Sequence, residues 1–205
     1  MSGRMKRSPP WAAACLAAMA AMTSGCVSMY VDSALREVSP AQVVRPAEPH
    51  PVQVLFTFQT KGVNNTRATD ALKKQVREAV EASGLFAAVG TDPMTGGAIV
   101  DVRLDNVPIT SEKEAMAKGF GTGLTFGLVG SSVTDGYVCT VDYLPPGATQ
   151  KITVTARHAI HATVGAKGAP PNGIKARNAA DAVDTMTRQV VTSALIALSK
   201  DPGFK

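Results

Sequence analysis

Residues 135–164, DGYVCTVDYLPPGATQKITVTARHAIHATV, decide how the rest of the chain is arranged. Tyr137, Cys139, Val141 and Tyr143 fall on one phase of a period-2 pattern, and Val138, Thr140, Asp142 and Leu144 on the other. That alternation predicts a half-buried strand over 135–144. Pro145-Pro146-Gly147 supplies the turn. From Lys151 to Val164 the alternation resumes. Ile152, Val154, Ala156, Ile160, Ala162 and Val164 face in, and Lys151, Thr153, Thr155, Arg157, His161 and Thr163 face out. The two runs predict an antiparallel hairpin whose apolar phase other elements must cover.

Upstream, Ala98–Val107 reads as a strand. Val100, Val102 and Leu104 point in, Asp101, Arg103 and Asp105 point out, and Pro108 is expected to end it. Cross-strand charge pairing suits that outer set. Val52–Gln59 alternates likewise. Between these two strands the spacing of Leu72, Val76, Ala79 and Val80 predicts an amphipathic helix from about Arg67 to Ser83. Asn65 or Thr66 caps it, and Gly84 stands at a left-handed C-terminal cap. Its outer face, with Lys73, Lys74 and Arg77, is either solvated or a binding surface for lipid phosphate. Downstream, Asn178 caps a last helix striped by Val183, Met186, Val190, Ala194, Ala197 and Leu198, which Asp201-Pro202-Gly203 ends. The expected fold is therefore α+β, a four-stranded mostly antiparallel sheet with two amphipathic helices on one face, in the order β-α-β-β-β-α. It forms one domain over 52–200 with a tail at 201–205.

Gly119 to Thr134, GFGTGLTFGLVGSSVT, contains no charge. The spacing of its glycines fits neither a dinucleotide fingerprint nor a phosphate loop. It is either a Gly-rich crossing between strands or an apolar loop that meets lipid or a partner. Gly119, Phe120, Leu124, Phe126, Leu128 and Val129 are the candidate contact residues.

The first 26 residues have a different character. Arg4, Lys6 and Arg7 precede the apolar run of residues 11–22, and Thr23, Ser24 and Gly25 lead into Cys26. This is the pattern of a secretory signal, too short to span a bilayer well. At Met22-Thr23-Ser24-Gly25-Cys26 the chain resembles bacterial lipoprotein precursors, with Thr23 where Leu is usual. The resemblance implies that residues 1–25 are removed and that Cys26 carries a diacylglyceryl group and usually an amide-linked acyl chain. Val27 after the Cys, where Asp would imply retention in the inner membrane, implies the outer membrane, facing the periplasm. The alternative is an ordinary secretory signal that ends near a Cys. Residues 26–51, with Pro40, Pro46, Pro49 and Pro51, read as anchor and Pro-rich tether.

Loss of the signal lowers the formal charge from +5 to +2, because Arg4, Lys6 and Arg7 leave with it and no acid does. No basic face strong enough for nucleic acid remains. Cys15 leaves too and Cys26 is modified, so Cys139 stays as a single thiol with no disulfide partner. It is expected to be buried and inert. His158 and His161 lie three apart on a strand and so point to opposite faces, which prevents a shared metal. His158 falls on the apolar phase and is expected as a hydrogen-bonded rim residue. No elbow motif accompanies either histidine. No enzyme, cofactor or metal site is expected.

The order of elements is similar to small periplasmic lipoproteins such as the LPS-assembly lipoprotein. Residues 123–130 and 133–137 also resemble a segment of proteobacterial outer-membrane lipoproteins. These resemblances imply a membrane-anchored envelope lipoprotein. It would act as a non-catalytic accessory whose partners are the membrane, through acylated Cys26, and an outer-membrane or envelope protein. A periplasmic module that binds a small molecule or glycan is the alternative.

Overall fold

Four long alternating strands form the centre of a sheet in the computed structural model, which describes residues 27–33, 42–120, 132–164, 169–170 and 172–204. They are β2 (Pro51–Thr60), β5 (Ala98–Ile109), β6 (Ser132–Leu144) and β7 (Ile152–Val164). β2 and β5 run parallel, which the helix between them, α1 (Thr66–Ala82), makes possible. β5, β6 and β7 are successively antiparallel. The register puts Phe58, Leu104, Cys139 and Ala156 in one row across the sheet, and Phe56, Val102, Val141 and Val154 in the next. These rows face α1 and α3 (Ala179–Ser199). Leu72, Val76 and Val80 of α1 and Met186, Val190, Ala194 and Leu198 of α3 complete the core.

The sheet is wider than four strands. Among the described residues it has eight, adding β1 (Val27–Asp32), β3 (Val63–Asn64), β4 (Ala88–Gly90) and β8 (Gly173–Lys175), in the order β3-β2-β5-β6-β7-β1-β8 with β4 on β2 outside that path. β3 and β4 share the free edge of β2, at its two ends. β1 pairs with β7 on one side and β8 on the other. A third helix, α2 (Glu112–Ala117), packs on the opposite face. The four-stranded, two-helix expectation is thus overturned: the described residues form an eight-stranded mixed sheet with three helices. The physical reason is length and environment. Strands of two or three residues have no period to detect, and β1 buries Tyr30, Val31 and Asp32 in succession, which erases alternation.

The tether expectation changes with it. Val27–Asp32 is an interior strand, so these residues belong to the sheet rather than to a tether. The Pro-rich stretch links β1 to β2 and is fastened to the domain. The Val44 amide donates to Ser199 Oγ at 3.2 Å, and Val43 packs on the core. The last residues also belong to the domain, because Phe204 packs edge-on against Tyr143 at 4.9 Å between centroids. Pro108 does not end β5, which continues to Ile109 paired with β6. β2 stops pairing at Asn106, so the missing amide of Pro108 faces no neighbour on that side.

Candidate functional site

The sheet has two faces with different chemistry, and β7 serves both. His158 points to the α3 side and is fully buried. Its Nε2 lies 2.7 Å from Gln189 Oε1, and its Nδ1 accepts the Ala159 amide at 2.8 Å. An accepting Nδ1 leaves Nε2 as the proton carrier, so Gln189 accepts. The ring is a core residue rather than the rim residue expected.

His161 points to the opposite face. Its Nε2 lies 3.1 Å from Asp32 Oδ2, and its Nδ1 lies 3.0 Å from Thr134 Oγ1. Expected to face out, His161 and Thr163 are instead buried, His161 with only 1% of its surface exposed. Carboxylate, imidazole and hydroxyl follow one another in the order used to activate a hydroxyl nucleophile. Asp32 and Thr134 are as buried as the ring, which makes the chain a clamp across β1, β7 and β6. No local signal in the sequence joins these three, because Asp32 and His161 are 129 residues apart.

Several of the other charged groups sit in ion pairs or hydrogen bonds. Asp142 on β6 accepts from Arg103 at 3.0 Å, Lys151 at 2.6 Å and Thr153 at 2.6 Å. Burial raises its pKa, but the bonds from Lys151 and Thr153 and the nearby cations outweigh that and hold it below the usual carboxylate range. Asp105 accepts the Gly62 amide at 3.0 Å. Cys139 is fully buried, and burial pushes its thiol up to about 12. Lys73 pairs with Asp70 and Lys74 with Glu78 in solvent. Among the described residues no three of His, Cys, Asp and Glu converge as a metal site.

The uncharged stretch begins on the second face. Glu114 accepts from Lys118 and from the Thr110 hydroxyl and amide, which together bring its pKa down to about 2. Lys118 also donates to the Pro108 carbonyl at 3.2 Å, so α2 is fixed to the end of β5. Gly119 then turns with φ +76°, and Phe120 packs inward against Ile109 and Ala115. Phe120, one of the candidate contact residues, is thus buried and anchors the start of the stretch. Leu124, Phe126, Leu128 and Val129 lie outside the described residues, as does Cys26.

One exposed apolar cluster adjoins Cys26 in sequence. Val27, Val133 and Val164 are 59%, 60% and 48% exposed. Val27 lies opposite Val164, and Ala162 opposite both Val133 and Met29. Residues directly opposite share a face with Cβ atoms about 4.5–5.5 Å apart, so the three valines form one surface on the α3 side. On the other edge of β1 the Ala176 amide donates to the Met29 carbonyl at 2.9 Å, before α3 begins. Single exposed apolar residues are ordinary; this group is contiguous and one residue from Cys26. Among the described residues no helix is long and apolar enough to cross a membrane.

No family model matches the chain, and no curated protein matches it. Among solved structures it is similar to the PelC dodecamer from Paraburkholderia phytofirmans in space group P6, at 9% identity and TM-score 0.37, over 86% of this chain and 99% of that one. A single-residue variant of the same dodecamer in space group C2 is similar at 11% identity and TM-score 0.37, over 84% and 95% of the two chains.

Proposed function

We propose that the chain is an envelope lipoprotein, held in the outer membrane through acylated Cys26 and facing the periplasm. There it serves as a non-catalytic accessory that binds an envelope protein or lipid. The signal pattern of residues 1–26 motivates the anchor. The observation that carries the reading is that the chain passes from Cys26 straight into an interior strand of the sheet, so an acyl anchor there holds the folded domain itself. Two or more acyl chains give durable attachment, whereas one gives marginal attachment. The non-catalytic role is supported by the state of the groups that chemistry would need. His158 and His161 are buried in hydrogen bonds, Thr134 is closed off, and the Cys139 thiol is far from ionising at neutral pH.

Mass spectrometry of the N-terminal peptide of the membrane-extracted protein tests the anchor. The expected result is a mature chain that starts at Cys26 and carries acyl mass, and loss of both in Cys26→Ala. A mature chain with an unmodified Cys26, or one starting elsewhere, ends the proposal. Photocrosslinking from Leu124 and Phe126 in the envelope tests the accessory role, which fails if neither protein nor lipid is captured.

A further inference from the structure

The junction of Cys26 with β1 fixes which end of the domain meets the bilayer, an inference that rests on the lipoprotein reading above. Consecutive Cα atoms are about 3.8 Å apart. A diacylglyceryl group on Cys26 therefore brings the lipid surface to the start of β1, with no spacer between them. The Pro-rich stretch cannot supply one, because it follows β1 and is fastened to Ser199. The sheet rows at this end are Val27–Val164, Ser28–Thr163–Ser132 and Met29–Ala162–Val133, and none contains a charge. A charge here would hold its water and resist an interface of lower polarity. The uncovered valines lie in these rows, and the charged clamp of Asp142, Arg103 and Lys151 lies toward the other end of β6.

We propose that the lipid bilayer is the partner of this surface: Val27, Val133 and Val164 rest in the membrane interface, and the turn at 145–150 points into the periplasm. The sheet then stands on the membrane by one end.

Nitroxide labels on the full acylated chain in phosphatidylethanolamine–phosphatidylglycerol vesicles test this orientation. Val133→Cys and Val164→Cys report the proposed contact, and Thr149→Cys, exposed in the turn at the other end, is the reference. Cys26 is blocked by its acyl group, and buried Cys139 does not take the label. The ratio of collisions with oxygen to collisions with a water-soluble nickel complex is expected to be several-fold higher at 133 and at 164 than at 149. Equal ratios at all three positions, with acylation of Cys26 confirmed by mass, would overturn the orientation and leave the anchor standing. Shielding of 133 and 164 from both reagents, with spin–spin broadening, would mean that a second copy covers the surface, and would also overturn it. An unmodified Cys26 removes anchor and orientation together.

Discussion

His161 holds three strands together through the side chains of Asp32 and Thr134. Its Nε2 meets Asp32 on β1 and its Nδ1 meets Thr134 on β6. Removing one partner of a buried ionisable pair costs about 3–5 kcal/mol, since the other is left in low dielectric. His161→Ala is expected to lower stability by about that amount in urea titrations. A change below about 1 kcal/mol, the size expected of an exposed pair, would show that Asp32 is hydrated in the folded state. Asp142 behaves differently because its partners reach it from solvent. Its folded pKa is depressed, so the stabilisation it gives is present above the unfolded value of about 3.9 and is lost as pH falls through the folded one. Asp142→Asn should therefore be less stable than the natural chain at neutral pH, with the gap closing below about pH 4. Urea midpoints along a pH series give the comparison, and a constant gap would contradict it.

At the scale of elements, what is local in the chain was legible and what is non-local was not. Asn65 and Asn178 were identifiable as caps and do accept the amides of Ala68 and Asp181. Gly84 takes φ +65° after α1, the left-handed cap that its position suggests. By contrast β3, β4 and β8 exist only because a longer strand offers them an edge, and their two or three residues are unremarkable in sequence. Gly136 shows a constraint of the same kind. In sequence it is one glycine in a strand. In the fold the Phe120 ring, Ile109 and the Val107 carbonyl lie within 3.0 Å of where its Cβ would be. Overpacking of a filled site costs about 1–3 kcal/mol. Gly136→Ala should lose about that much and loosen the Phe120 packing on α2. Chemical denaturation measures the loss, and amide exchange at Ala115 and Phe120, whose amides bond to Ser111 and Ala115, reports the loosening. Unchanged exchange would argue against it.

The whole molecule is organised by a pairing that the sequence conceals. In sequence the run 27–35 is mixed and prolines follow it, which reads as the start of a tether, and the three successive buried residues of β1 carry no periodic signal to correct that. Its partner in the Asp32–His161 pair lies 129 residues away, beyond the reach of any local pattern. A tether and an interior strand differ in a measurable way. Val31 is buried in the main core, so Val31→Asp is expected to cost about 4 kcal/mol or more and to unfold the domain cooperatively, seen as joint loss of near- and far-ultraviolet circular dichroism. A tether residue would tolerate it. The candidate site was legible in the same uneven way. Cys26 and the uncharged run were visible, whereas the valine surface was not, because it assembles from β1, β6 and β7.

The placement of β1 also sets an order of events in time. Synthesis proceeds from the N-terminus, so β1 emerges before the other described strands, and β7 and β8, its two neighbours, follow more than a hundred residues later. Pairing across so long a loop is slow. The first strand made is thus the last to be inserted, and it waits as an open edge while the rest of the sheet forms. During that interval the free edge of β7 fits the β1 of any neighbouring chain as well as its own. The local concentration of chains, rather than any feature of the finished fold, then decides whether each chain closes on itself.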